Sequence, residues 1–298
     1  MALSKFLDPK NDTAFKRVFG TERNKDILLH FLNDIFERAQ DPIQHVSFIK
    51  TQLEPEIAAQ RTSAVDIMCK ARSGEYFIVE MQVARETGFE KRAQYYAAKA
   101  YIEQRKKDLN YKDLKEVTFL AIANFVMYPD KKAYLSHHHV LDIHTGDRNL
   151  KDFSFSFIEL PKFKKNVASL KTITDKWIYF FAHAEDTHPE DLEKIIGSDK
   201  VILRAYEELD RYGWTEDELR AYDHAEMQAI IAVNQMDAAR IEGEAIGLEK
   251  GKAEGKAEGK AEGKAEVIKN MHQQGLGAKE ISGFTGIPLV EVQKILNC

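Results

Sequence analysis

Three residues in two neighbouring apolar runs carry the clearest chemistry in this chain. Asp66 lies in Ala64-Val65-Asp66-Ile67-Met68, and Glu80 and Gln82 lie in Phe77-Ile78-Val79-Glu80-Met81-Gln82-Val83. An ionised carboxylate inside an apolar strand pattern needs a hydrogen-bonding partner or a cation. The segment between the runs decides whether the two acids meet. Arg72-Ser73-Gly74 has the length of a three-residue hairpin loop, with Gly74 as its left-handed last residue. Ala71 then pairs with Glu75, and equal steps outward set Asp66 opposite Glu80, with Gln82 on the same face. Opposed Cβ atoms in such a ladder lie about 4.5–5.5 Å apart. Two facing carboxylates repel unless a cation sits between them, and oxygen ligands at this density suit Mg²⁺ or Mn²⁺. Such an ion can polarise a phosphoryl oxygen and lower the pKa of a bound water. Another reading stays open: the acids face solvent or pair with arginine. A two-residue loop, Ser73-Gly74, would set Asp66 opposite Met81 and remove the constellation.

The elements that must position these residues follow from periodicity. The first forty residues read as helical, through Phe15, Val18, Phe19, Ile27, Leu28, Phe31, Leu32, Ile35 and Phe36. Ile43–Ile49 reads as a short strand, Ala64–Ala71 and Glu75–Val83 as the hairpin, and Phe89–Lys106 as an amphipathic helix. Val117–Val126 is a buried strand by its unbroken apolar run. His137–His144 and Phe153–Leu160 are expected as further strands, turning at Thr145-Gly146-Asp147, with Pro161 ending the sheet. Residues 166–242 form an acidic helical extension, residues 243–266 a repeat spacer, and residues 267–298 a small helical module. The order of elements predicts an α/β core over residues 1–165 with helices appended.

Composition bounds the rest. The 298 residues suffice for a sizeable core, with 44% hydrophobic and 31% charged. Cys69 and Cys298 exclude a disulfide framework and a Cys-type zinc site. Met1–Asp12 does not read as a signal peptide, and no apolar run spans a membrane, so a cytoplasmic protein is expected. Residues 1–165 hold 27 Lys and Arg against 23 Asp and Glu, and residues 166–298 hold 16 against 25. A polyanion therefore finds its better partner in the first half.

Glycine recurs every four residues from Gly243 to Gly263 within a Lys-Ala-Glu-Gly repeat. Like charges fall at i,i+4, and each glycine costs about 1 kcal/mol relative to alanine. A flexible or semi-helical spacer is expected, or close helix pairing in a homo-oligomer through the small residues. The last thirty residues, with Ile281, Gly286, Pro288, Val292 and Ile295, resemble a helix-turn-helix that reads DNA or binds protein. His137-His138-His139 is not assigned a metal role, because adjacent strand residues alternate between faces. His183 and His188 show no ligand spacing, and Cys69 is expected as a packing residue.

Taken in order, the pieces resemble the recombination-promoting nuclease and transposase family of the PD-(D/E)XK nuclease superfamily. They are Asp8-Pro9-Lys10-Asn11-Asp12 with Phe15-Lys16 and Phe19-Gly20, Val65-Asp66-Ile67, Val79-Glu80-Met81-Gln82, Arg92 with Tyr95-Tyr96, and Phe157-Ile158-Glu159-Leu160-Pro161-Lys162-Phe163. The resemblance covers roughly residues 1–240. It implies a restriction-endonuclease-like mixed sheet flanked by helices and a metal-dependent DNA endonuclease linked to recombination or mobile elements. It further implies that Asp66, Glu80 and the Met81 carbonyl bind Mg²⁺ or Mn²⁺, that Gln82 positions water, and that Asp12 adds an acid. Asp12 as a helix cap is the alternative. Lys16, Arg92 and Tyr96 are the expected substrate contacts, with Lys91 a further candidate phosphate clamp; core packing is the alternative use of Tyr95 and Tyr96. Gln82 stands where the superfamily carries lysine, so this chain lacks a positive charge there. A DNA-binding or interaction protein with a decayed nuclease site is the alternative function.

Overall fold

The computed structural model describes residues 4–49, 52–53, 63–105 and 110–297. The expected helix end at Lys106 and the residue Cys298 lie outside them. The chain divides into a unit of Met1–Met236 and a unit of Asp237–Cys298. No helix among the described residues is long and apolar enough to cross a membrane.

The first unit is built on a six-stranded mixed sheet. Its strands are β1 (Val46–Phe48), β4 (Ile67–Ala71), β5 (Tyr76–Gln82), β6 (Val117–Ala123), β7 (Leu135–His139) and β8 (Phe153–Glu159), in the order β1-β4-β5-β6-β8-β7. A separate pair, β2 (Gln52–Leu53) and β3 (Ser63–Ala64), stands outside it. The pairs β5/β6 and β6/β8 are parallel; the other pairs of the sheet are antiparallel. Helix α3 (Phe89–Glu103) makes the crossover from β5 to β6.

Parity along the strands sorts the two faces. Phe77, Val79, Leu120, Ile122 and Ile158 face a core shared with α1 (Asp12–Phe19) and α2 (Lys25–Ile35). Ile78, Phe119, Ala121 and Phe157 face Phe89, Ala93, Ala97 and Ala100 of α3. Alanine at positions 93, 97 and 100 lets that helix lie close on the sheet. This arrangement is the restriction-endonuclease-like α/β fold.

Residues 166–242, expected as an extension, contribute heavily to the first core. Trp177 and Phe181 of α4 (Ile173–His183), Ile195 of α5 (Pro189–Ile196), and Ile202 and Tyr206 of α6 (Lys200–Glu208) are buried with Phe15, Phe19 and Phe31. Trp177 Nε1 donates to Asp34 at 2.7 Å, fixing α4 on α2. The expected strand His137–His144 is also corrected: β7 runs from Leu135 and stops at His139. Asp142 accepts from the His144 and Thr145 N–H groups, and Gly146 adopts φ 76°, so a turn replaces the ladder.

Glu159, at the end of β8, is 1% exposed. It accepts from Met127 N–H at 2.6 Å, Tyr128 N–H at 3.1 Å and Lys162 Nζ at 2.6 Å. Lys162 is itself nearly buried and also donates to the Tyr128 carbonyl. Glu159→Ala therefore leaves a buried ammonium and two N–H groups without their acceptor. The expected loss is about 3–5 kcal/mol in a denaturant melt, and a loss below about 1 kcal/mol would show that the pair is not a structural clamp.

In the second unit, the repeat expected as a flexible or semi-helical spacer is helical. Helix α7 is continuous over Glu216–Gln273 and includes the whole glycine repeat. A Cβ added at any glycine from Gly243 to Gly263 would meet nothing within 4 Å. Ile268, Ile281 and Val292 form a small core between the end of α7, α8 (Ala278–Thr285) and α9 (Leu289–Leu296). Gly286, at φ 69°, makes the turn between α8 and α9.

Candidate functional site

The hairpin has the register set by its loop. Gly74 adopts φ 99°, Ala71 N–H donates to the Glu75 carbonyl at 2.8 Å, and the ladder runs from Lys70↔Tyr76 to Ile67↔Val79. Asp66 lies one residue beyond the last paired position rather than within the strand. The chain changes partners there: Ala64 pairs with Gln52, whereas Ile67 pairs with Val79. Freed from the ladder, Asp66 accepts the Met81 N–H through Oδ2 at 2.8 Å. A side chain thus serves a backbone donor that β4 no longer reaches.

Glu80 is 3% exposed. Its Oε2 accepts from Gln82 Nε2 at 3.0 Å, while Oε1 is buried with no hydrogen-bond partner among the described residues. Ala121 and Ala123 of β6 stand beside Glu80 and Gln82 in the parallel ladder, so the neighbouring strand adds little bulk there. Burial pushes the Glu80 pKa up, and the Asp66 charge pushes it further, against the attraction of Arg92. Burial likewise raises Asp66, and Asp12 adds to the rise; the Met81 N–H, Lys16 and Arg92 oppose it. Two carboxylates are therefore held where both resist ionisation without a cation.

The other expected residues surround this pair. Asp12 and Lys16, on α1, form an ion pair at 2.7 Å, both about half exposed, and both act electrostatically on Asp66. Asp12 is not the helix cap. Asn11 is, with Oδ1 accepting from the Thr13 and Ala14 N–H groups. Arg92, on α3, acts on both Asp66 and Glu80; it pairs with Glu86 and lies over the rings of Phe89 and Tyr96 at 5.2 and 5.7 Å. Tyr96 is half-buried near the same acids, whereas Tyr95 is 53% exposed. Lys91 is exposed.

Two supporting residues were given no role by the sequence reading. Asn11 Nδ2 donates to the Tyr222 carbonyl at 3.0 Å, and Tyr222 Oη accepts from Asp8 N–H at 3.1 Å. The first turns of α7 thus hold the start of α1, and with it Asp12 and Lys16. A cavity of about 340 Å³ lies between these elements, lined by Asp12, Met81, Val83, Tyr222, Ala229 and Val233 among others. Asn11 carried a readable signal as a capping residue ahead of Thr13 and Ala14; Tyr222 carried none.

No three His, Cys, Asp or Glu side chains among the described residues are arranged to hold a metal. The hairpin offers two carboxylates, and backbone carbonyls complete such oxygen sites elsewhere. The unpartnered, buried Glu80 Oε1 and the raised pKa values of both acids fit a divalent cation in this donor set.

The family model for PD-(D/E)XK nuclease family transposases matches residues 9–239, a span that includes α1, the hairpin, α3 and α4–α6. Neither a curated protein nor a solved structure matches the chain.

Proposed function

We propose that this chain, which belongs to the PD-(D/E)XK nuclease family transposases, is a Mg²⁺- or Mn²⁺-dependent endonuclease that hydrolyses DNA phosphodiester bonds. The observation that carries the reading is the buried Glu80 beside Asp66, with one carboxylate oxygen unpartnered. Asp66, Glu80 and the Met81 carbonyl would hold the ion, which supplies charge stabilisation at phosphate and a water of lowered pKa. Gln82 gives its amide N–H to Glu80, so its amide oxygen remains to accept a hydrogen bond from a water. Arg92 and Lys16 bring positive charge to where a phosphate would lie. Tyr96 gives an aromatic surface for a base, and Asp12 adds a further carboxylate on the α1 side.

The neutral Gln82 favours a second reading, a DNA-binding protein that has lost cleavage. Plasmid DNA incubated with Mg²⁺ or Mn²⁺, with EDTA, and with Glu80→Ala separates the two. Divalent-dependent nicking by wild type alone supports the nuclease; binding without cleavage under every ion supports the second reading. We further propose that the helical repeat and terminal module serve self-association. A chain ending at Glu242 should then melt cooperatively and keep its cleavage activity while losing higher oligomers in light scattering. Loss of the cooperative melt would reject the independence of the first unit.

A further inference from the structure

We infer that α3 carries a binding track for single-stranded DNA, leading from the hairpin acids to Tyr111; the track deepens the nuclease reading, on which the choice of DNA rests. Helix α3 buries Phe89, Ala93, Ala97 and Ala100 against the sheet. Arg92, Tyr95, Tyr96, Lys99 and Ile102 follow one another at spacings of three and four residues, so they line one flank of the helix. The stripe rises about 15 Å from first to last. Arg92 opens it at the hairpin, where its charge acts on both Asp66 and Glu80. Each cation of the stripe lies against a tyrosine: Arg92 is 5.7 Å from the Tyr96 ring centre, and Lys99 is 6.0 Å from that of Tyr95.

The stripe continues past the end of the helix. Gln104, buried at that end, donates from Nε2 to the Lys115 carbonyl and accepts the Lys115 N–H through Oε1, both at 2.9 Å. These two bonds hold the short helical turn Tyr111–Asp113 near the end of α3, and Arg105 lies 5.2 Å from the Tyr111 ring centre. A cation and an aromatic ring thus recur together three times along one line.

Core packing does not account for these side chains. Tyr95, Ile102 and Tyr111 are 53%, 59% and 74% exposed. Charge points to the occupant. Residues 89–115 hold eight Lys and Arg against four Asp and Glu, a surplus equal to that of the whole of residues 1–165. Cations set between aromatic rings suit a strand in which phosphates and bases alternate. The face of a base stacks on an aromatic ring whatever the sequence. In a duplex that face is covered by the neighbouring base pair, so a duplex engages the cations and leaves the rings unused. An acidic peptide does the same. Only an unpaired strand engages both.

The full-length chain in EDTA is titrated by fluorescence anisotropy with an oligothymidylate of about 16 nucleotides, a DNA duplex of equal length and the matching oligouridylate. The oligothymidylate should bind about fivefold or more tightly than the duplex. Tyr95→Ala and Tyr111→Ala should each weaken it by about fivefold or more and leave duplex binding nearly unchanged, while Tyr95→Phe keeps the wild-type affinity. Lys99→Gln should lower the slope of log affinity against log salt by about 0.7, a slope that the tyrosine variants leave alone. Tyr212→Ala, at a tyrosine 86% exposed away from α3, should change nothing. Circular dichroism checks that the fold is kept. Because binding is read without cleavage, failure of the track is told apart from failure of the nuclease, which the plasmid assay reads. Wild-type affinity for the oligothymidylate in Tyr95→Ala/Tyr111→Ala, tighter binding of the duplex, or tighter binding of the oligouridylate would overturn the track.

Discussion

Glu80→Ala is expected to abolish divalent-dependent DNA cleavage, a loss of roughly three orders of magnitude or more. Glu80 is the most enclosed charged group of the hairpin site, and its free oxygen has no other use among the described residues. Asp66→Ala should have a comparable effect on cleavage, but with an added structural consequence: Met81 N–H loses its acceptor. Asp66→Asn keeps an acceptor for that N–H while removing the charge, so it separates the two effects. DNA binding should persist in all three variants, because Lys and Arg contacts to phosphate supply most non-specific affinity. Gln82→Ala should slow cleavage by only about tenfold to a hundredfold, since it removes an orienting hydrogen bond and not an anionic ligand. Gln82→Lys should preserve activity, since it restores the charge that the superfamily places there. Cleavage is followed across a Mg²⁺ titration with wild type and variants purified identically. Equal cleavage by wild type and Glu80→Ala would remove the hairpin from the mechanism.

The hairpin was legible because its loop is short enough to count. Arg72-Ser73-Gly74 leaves a single register once Gly74 takes a left-handed φ, and the register carries Glu80 and Gln82 to their places. The position of Asp66 just outside the ladder was not legible, because it depends on where the chain exchanges one partner strand for another. The role of residues 166–242 was hidden for a related reason. Amphipathic periodicity in α4 and α6 tells that a face is buried, not that Phe19 and Phe31, some 150 residues earlier, lie against it. The repeat shows the limit of propensity: glycine and like-charge spacing left flexible and semi-helical forms both open, and α7 runs through it. Asp12 and Lys16 were named through resemblance, while the residues that hold them, Asn11 and Tyr222, meet only in three dimensions.

Without metal, Glu80→Gln is expected to be more stable than wild type at alkaline pH, by on the order of 2 kcal/mol. The argument rests on the raised pKa values of Glu80 and Asp66. A carboxyl whose folded pKa is raised keeps its proton in the native state after the unfolded chain has released its own. The unfolded state then binds fewer protons, so stability falls as pH rises from the ordinary carboxylate range through the raised value. Below the ordinary range both states are protonated and the effect vanishes. Glutamine cannot ionise, and its presence also removes the charge that repels Asp66, so the slope should flatten by more than one group's share. His30, raised by its hydrogen bond to Asp34, loses its stabilising charge over part of the same range, but equally in both proteins. The readout is therefore the difference between the two denaturant melts, taken in EDTA at about pH 5 and about pH 8.5. Mg²⁺ should reverse the order, stabilising wild type by binding the native state while leaving Glu80→Gln nearly unmoved. Parallel pH slopes for the two proteins in EDTA would mean that the acids are not strained by each other, and the case for a cation between them would fall.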